Sequence, residues 1–142
     1  MSNNIASQIA NLLNTQNQLT VPYSPEKVLD SQEQFILWFG ESEKELVLGA
    51  VQVKKVQWYQ CEINHLSVHP DAKRQGIGTW LLREAEDKAK ELGARVVQCT
   101  IRVGNEASET LFKKYGFVAT ITFLNKQNGN KVTVYQKALV TA

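Results

Sequence analysis

Leu66-Ser67-Val68-His69-Pro70-Asp71-Ala72-Lys73-Arg74-Gln75-Gly76-Ile77-Gly78-Thr79 passes from an alternating, strand-like segment through a polar, proline-containing turn straight into an amphipathic helix. A helix start offers several backbone N–H groups without intrahelical partners and the positive end of the macrodipole. Glycine there lets an anion approach the backbone with no Cβ in the way. Lys73 and Arg74 add side-chain charge beside the same turn. The stretch reads as an anion cradle, with a tight strand-to-helix turn as the plain structural alternative for Gly76 and Gly78. A P-loop requires Gly-Lys-Ser/Thr after its glycines, whereas Gly78-Thr79-Trp80 follows here. A dinucleotide fingerprint requires a third glycine where Leu81 stands. Nucleoside triphosphates and NAD are poor ligands on that reading.

Working outward, Leu81, Leu82, Ala85, Ala89 and Leu92 form one apolar stripe and predict a helix over Thr79–Leu92, closed by Gly93. Glu84/Lys88 and Glu86/Lys90 are expected to pair at i,i+4 on its wet face. Upstream, Trp58–Val68 predicts a strand whose alternation puts Glu62, Asn64, Leu66 and Val68 on one face and Ile63, His65 and Ser67 on the other. Phe35–Phe39 and Leu46–Val53 predict a hairpin around a polar turn, Gly40–Lys44. Ile5, Ile9, Leu12 and Leu13 predict a first helix ended by the polar run Asn14–Gln18. Ser24-Pro25 starts a short second helix, proline suiting a first helical position. Downstream, Arg95–Val103 predicts a strand and Glu106–Tyr115 a helix ended by Gly116. Phe117–Phe123 and Lys131–Leu139 predict a last hairpin turned at Asn128-Gly129. The order predicts an α/β (α+β) domain in which a mixed sheet is covered by helices, with residues 1–142 as a single domain.

The chain's 142 residues, 43% of them hydrophobic, suffice for one core without disulfides. Sixteen Lys and Arg against fourteen Asp and Glu leave a formal charge of +2. That balance predicts no nucleic-acid partner and no membrane surface. No stretch approaches the roughly 20 apolar residues of a membrane span, and the start of the chain lacks the basic and apolar blocks of a signal peptide. Cys61 and Cys99 fall in apolar strand-like segments and read as reduced, buried thiols. Together these features predict a cytoplasmic protein.

Three linked blocks carry a resemblance: Leu66-Ser67-Val68-His69-Pro70; Lys73 to Gly78; and Asn105, Ser108, Leu111-Phe112 and Gly116-Phe117. The stretch from Glu62 to Phe117 resembles the GNAT superfamily of acetyl-CoA-dependent N-acetyltransferases, whose pattern is L-x-V-x-P, [RQ]-x-x-G-x-[GA] and N-x-x-[AS]-x-x-L-[YF]-x-x-x-G-F. The resemblance implies the GNAT fold and acetyl-CoA as cosubstrate, with no metal and a primary amine of a small molecule or protein as acceptor. It allows a homodimer without fixing an oligomeric state. It further implies that Leu66, Ser67 and Val68 bind the pantetheine arm through their backbone, and that the run Lys73, Arg74, Gln75, Gly76, Ile77, Gly78 and Thr79 holds the pyrophosphate. Asn105 and Phe112 are implied near the sulfur end. Asn105 is equally well placed as a helix N-cap, and Phe112 as core packing.

Acyl transfer from a thioester to an amine needs a neutral amine, donors for a tetrahedral oxyanion, and a fate for protons. The resemblance implies a backbone N–H near Val68 for the oxyanion. One branch of the superfamily, the ribosomal-protein and peptide N-terminal acetyltransferases, uses a Glu base and a Tyr acid at positions occupied here by Thr100 and Phe112, so those roles do not carry over. Lys73 also stands where Arg or Gln is usual. Glu62 is then the first candidate base, directly or through water, and His65 the second if a bulge turns it inward. Tyr115 or Tyr59 is the candidate acid, although a thiolate needs little help to leave. The competing readings are an acyl-CoA-binding module without turnover and a structural domain that has lost its ligand.

Overall fold

The computed structural model describes residues 1–42 and 44–139. Glu43, in the expected Gly40–Lys44 turn, lies outside the described residues. The elements run α1 (Asn3–Gln16), α2 (Pro25–Asp30), β1 (Phe35–Phe39), β2 (Val47–Gln57), β3 (Gln60–Val68), α3 (Ile77–Glu91), β4 (Val96–Arg102), α4 (Glu106–Lys114), β5 (Val118–Leu124) and β6 (Lys131–Ala138). The six strands form one mixed sheet in the order β1-β2-β3-β4-β6-β5. The expected mixed sheet with helices is therefore present. By their internal contacts the residues group into two compact units, Met1–Val53 with His65–Ala85, and Lys54–Asn64 with the chain from Glu86 onward.

In the first unit, α1 begins where Ser2 Oγ accepts from Ile5 N, and α2 where Ser24 Oγ accepts from Lys27 N, both at 3.1 Å. Each bond satisfies an orphan donor and is worth about 1 kcal/mol. α1 continues through Asn14 to Gln16, beyond the expected stop, because Asn14 has a specific partner: its side-chain amide donates to Tyr23 O and accepts from Tyr23 N. Ile5, Ile9 and Leu13 come from the buried stripe of α1 and cluster with Val28, Phe35, Val47 and Ala50. Each fully buried Ile or Leu contributes roughly 1.5–3 kcal/mol. β1 and β2 pair antiparallel, as expected of the hairpin.

In the second unit, Val97, Cys99 and Ile101 are the buried face of β4. β4 pairs antiparallel with β6, and β6 with β5. β3 and β4 pair in parallel over Gln60↔Val96, Cys61↔Val97 and Glu62↔Gln98, although β3 continues to Val68 and β4 to Arg102. Four expectations are corrected here. Trp58 and Tyr59 belong to no strand; they are the two-residue connection between β2 and β3. Glu86 does not lie free on a wet face with Lys90: its carboxylate accepts from Lys137 Nζ of β6 at 2.9 and 3.0 Å. Leu92, expected in the apolar stripe, is exposed just past the end of α3. The last turn is also wider than a two-residue hairpin, closed by Asn125 N donating to Asn130 O, with Gly129 at φ 75° inside it. Both cysteines are buried and unpaired, and burial pushes the Cys99 thiol up to about 12. No helix among the described residues is long and apolar enough to cross a membrane.

α3 sits on β2 through Gly49. A Cβ added there would lie 2.7 Å from Ile77 Cγ2 and 3.0 Å from Leu81 Cδ1, inside van der Waals contact. Gly49→Ala is therefore expected to destabilise the protein by about 1–3 kcal/mol through overpacking, measured by urea unfolding. Adding Ile77→Ala removes the clashing methyl, so the double mutant should lose less than the sum of the two single mutants. Strict additivity would mean that the contact does not set the helix position.

Candidate active site

The turn that precedes α3 is built in steps. His69 N donates to Leu48 O at 2.8 Å, which ties the end of β3 to β2. His69 then caps a single 3-10 turn, Pro70–Ala72, by accepting at Nδ1 from Asp71 N. Lys73, Arg74 and Gln75 are exposed, and Arg74 has φ 69°, a left-handed conformation that non-glycine residues seldom adopt. Gly76 has φ 78° and its carbonyl accepts from Trp80 N, the first bond of α3. Ile77, buried, anchors the helix start, and the Trp80 ring lies edge-on to Trp38 with centroids 5.1 Å apart.

α1, α2 and α4 start behind a capping side chain, from Ser2, Ser24 and Asn105. α3 starts behind a glycine, which has no side chain to offer. The first N–H groups of α3 are thus left for something other than the preceding side chain. A Cβ placed on Gly76 would meet no atom within 4 Å, so the space over that backbone is open. An anion fits this arrangement, with Lys73 and Arg74 exposed on the same turn. A groove of about 710 Å³ on the α1 side of the turn includes Asn11, Thr15, Gln16, Asp71 and Gln75 in its lining and contains no lysine or arginine. That groove has no charge to match a phosphate.

Of the residues expected to line the pantetheine path, Leu66 and Val68 are half-buried, and Ser67 is buried. Ser67 Oγ accepts from Asn17 Nδ2 and donates to the His65 carbonyl, each at 2.8 Å. Its side chain is spent on joining β3 to the end of α1, leaving its backbone for any ligand. His65 has φ 55° in the middle of a strand, a strained conformation that interrupts the alternation expected of β3. Its ring lies edge-on to the Tyr23 ring at 5.4 Å. Burial, with a smaller contribution from the Lys27 charge, holds the imidazole below its usual range.

The sequence gives no reason to single out Tyr23. Its hydroxyl donates to Gln52 Oε1 at 3.3 Å, and buried Gln52 donates to Gln34 Oε1 at 2.7 Å. Burial raises the Tyr23 phenol, and Lys27 Nζ sits 4.5 Å from the ring centroid. Polar residues in a proline-flanked connection look like solvated loop, so the only signal was the Pro22–Pro25 spacing around an aromatic residue. His65, Leu66, Ser67, Val68 and Lys73 to Thr79 all belong to this first unit.

The remaining candidates belong to the second unit. Glu62 is half-buried in β3, opposite Gln98. Asn105 caps α4 by accepting from Ser108 N at 3.3 Å. Phe112 is buried with its ring 5.0 Å from that of Phe117. Tyr115 closes α4, its ring beneath Lys114 Nζ, and Tyr59 stacks edge-on to Trp58. Thr100 is exposed on β4. Among the described residues no group of three or more His, Cys, Asp or Glu could hold a metal ion.

Comparison with known proteins agrees with the fold. An uncharacterised N-acetyltransferase of Methanocaldococcus jannaschii is 38% identical over 56 residues, covering 39% of this chain and 25% of that protein. The chain thus spans only a quarter of that relative's length. The crystal structure of Ard1 from Thermoplasma volcanium superposes with a TM-score of 0.85 at 20% identity, over 99% of this chain and 95% of the other. A structure of yncA, described as an acetyltransferase of Salmonella typhimurium with its cofactor acetyl-CoA, gives 0.80 at 19% identity, over 100% and 92%. The family model described as the acetyltransferase (GNAT) family matches residues 6–117. With strand, glycine turn and capped α4 all inside that span, this chain belongs to the GNAT family of acetyltransferases.

Proposed function

We propose that this chain is an N-acetyltransferase that moves the acetyl group of acetyl-CoA to a primary amine, on a small molecule or on a protein, as one domain in a reducing cytoplasm. The observation that carries the reading is the start of α3: a left-handed, exposed glycine in the capping position, open space above it, and two cations on the same turn. The backbone of Gln75 to Thr79 would receive the pyrophosphate, with Lys73 and Arg74 screening its charge. The pantetheine arm would follow the backbone of β3 at Leu66 and Val68. The two free buried thiols accord with a reducing compartment.

Bound acetyl-CoA supplies an activated acyl group: the amine nitrogen forms a bond to the carbonyl carbon, and the carbon–sulfur bond breaks with the electron pair leaving on sulfur. The protein must then hold the amine close, donate to the carbonyl oxygen from backbone N–H near Val68, and accept the amine proton. His65 is the proposed acceptor of that proton. Its depressed basicity keeps it neutral at pH 7, so it is ready to take a proton without first losing one. A strained backbone at this one strand residue also fits a functional position. Glu62 is the alternative base, the first choice on sequence. The thiolate leaves without an obligatory acid, and Tyr115 is assigned no required role.

Two measurements test this. Gly76→Asp puts a Cβ at φ 78° and a carboxylate over the free N–H groups of α3, where it competes as a cap and repels phosphate. Isothermal titration of acetyl-CoA should show at least a tenfold loss of affinity, with the circular dichroism spectrum unchanged. Undiminished binding removes the cradle.

For the proton, the wild-type kcat/KM should fall on the acid side through an ionisation below 6.5, since the folded imidazole is lowered and protonation removes the base. His65→Gln should lower kcat by roughly 10²–10⁴-fold and abolish that inflection. Glu62→Gln should leave it in place. The converse pattern would move the role to Glu62.

A further inference from the structure

Tyr23 touches two groups of opposite use. One edge of its ring meets the His65 imidazole at 5.4 Å, and Lys27 Nζ stands 4.5 Å from its centroid. All three residues belong to the first unit. The ring is held by Asn14 on the Tyr23 backbone and by Gln52 on the hydroxyl. The lysine is placed by α2: Ser24 Oγ accepts from Lys27 N, and Val28, the next residue, is buried in the core. Lys27 itself is exposed, and among the described residues no ion pair engages its ammonium. Glu26 and Asp30 share α2 with it and stay exposed and unpaired with it. Burial and the Lys27 charge act on the imidazole with no carboxylate opposing them. The polar side chains that surround the Tyr23 hydroxyl, Gln34 and Gln52, are neutral and bonded to each other. This corner of the unit thus carries one uncompensated positive charge. Acceptor amines are ammonium ions in neutral solution, and a bare cation approaches such a charge at a cost. A diamine or a lysine side chain fits poorly, whereas an amine that carries its own negative charge is drawn in.

We propose that the acceptor is a small amino acid, whose carboxylate pairs with Lys27 while its amino group lies at His65; this rests on the acetyltransferase reading above. One phenol ring spaces the ammonium from the imidazole, so both charges of the acceptor belong on one small molecule. A single ammonium balances a single negative charge. A carboxylate therefore suits it better than a phosphate dianion, for which arginine or several cations are the usual match. The lysine stem already lies over an aromatic face, which lowers the rotamer freedom lost when the anion binds. Lys27 touches no reacting atom in this arrangement. It selects the acceptor, by attracting a zwitterion and repelling a plain cation.

The test is CoA release from acetyl-CoA, followed with a thiol reagent, for the L-amino acids, their carboxamides and spermidine as a plain cationic amine. Wild type, Lys27→Met and Lys27→Glu are compared. Methionine keeps an apolar stem over Tyr23 and removes the charge, so thermal unfolding should not change. In Lys27→Met the ratio of kcat/KM for acid over amide should fall about tenfold, through the KM of the acid. In Lys27→Glu it should fall further, and spermidine should gain. Comparing the same ratio across the proteins cancels the different basicities of the two amines. In wild type, added salt should raise KM for the acid more than for the amide. An equal ratio in all of these proteins would overturn the carboxylate pairing while leaving acetyl transfer intact. Spermidine as the preferred acceptor of the wild type would overturn it too. No transfer to any member of the panel would remove the transferase reading, and the pairing with it.

Discussion

The arrangement rests on how closely α3 approaches β2. Because Gly49 has no side chain, Ile77 and Leu81 pack directly over it, and that contact fixes where the helix begins. The chain between Val68 and Ile77 must then turn within a short span. It does so by one 3-10 turn and by two left-handed residues, Arg74 and Gly76. The left-handed residues carry the functional consequence: they bring the chain into α3 without a capping side chain. The first N–H groups of the helix then meet the outside. A packing contact deep in the first unit thus sets the chemistry of an exposed turn.

The same unit contains a second polar feature, made of groups that are individually ordinary. Asn14 holds Tyr23 by its backbone, Asn17 holds Ser67, and Gln52, itself bonded to Gln34, accepts from the Tyr23 hydroxyl. These bonds place the Tyr23 ring against His65, whose strained backbone they help to justify. Buried polar networks confer stability only when satisfied, and rigidity is their usual return. Here rigidity holds one buried imidazole, the group proposed above to take the proton of the amine.

Much of this was legible in the order of residues. The glycine turn, its flanking strand and helix, and the Ser24-Pro25 start could be read directly, since each is a local rule of backbone chemistry. What escaped was set by distant partners. Glu86 has Lys90 in the right place for a helical pair, yet it bonds to Lys137, fifty-one residues away. Trp58 and Tyr59 are strand-forming residue types that serve as a turn, because β2 and β3 need a connection there. His65 sits in an alternating run whose pattern cannot announce a positive φ. Tyr23 lies in a loop-like segment and gains its meaning only from α1 and β2. Asn105 and Phe112 had two readings each, and the structure shows the capping and packing ones in place.

The central claim is that backbone amides at the start of α3 bind the diphosphate of the coenzyme. Amide resonances followed by NMR during titration with acetyl-CoA test it most directly. The account predicts the largest shifts at Gln75, Gly76, Ile77, Gly78 and Thr79, saturating with a single affinity. Binding that leaves those five amides unmoved while shifting others would contradict it.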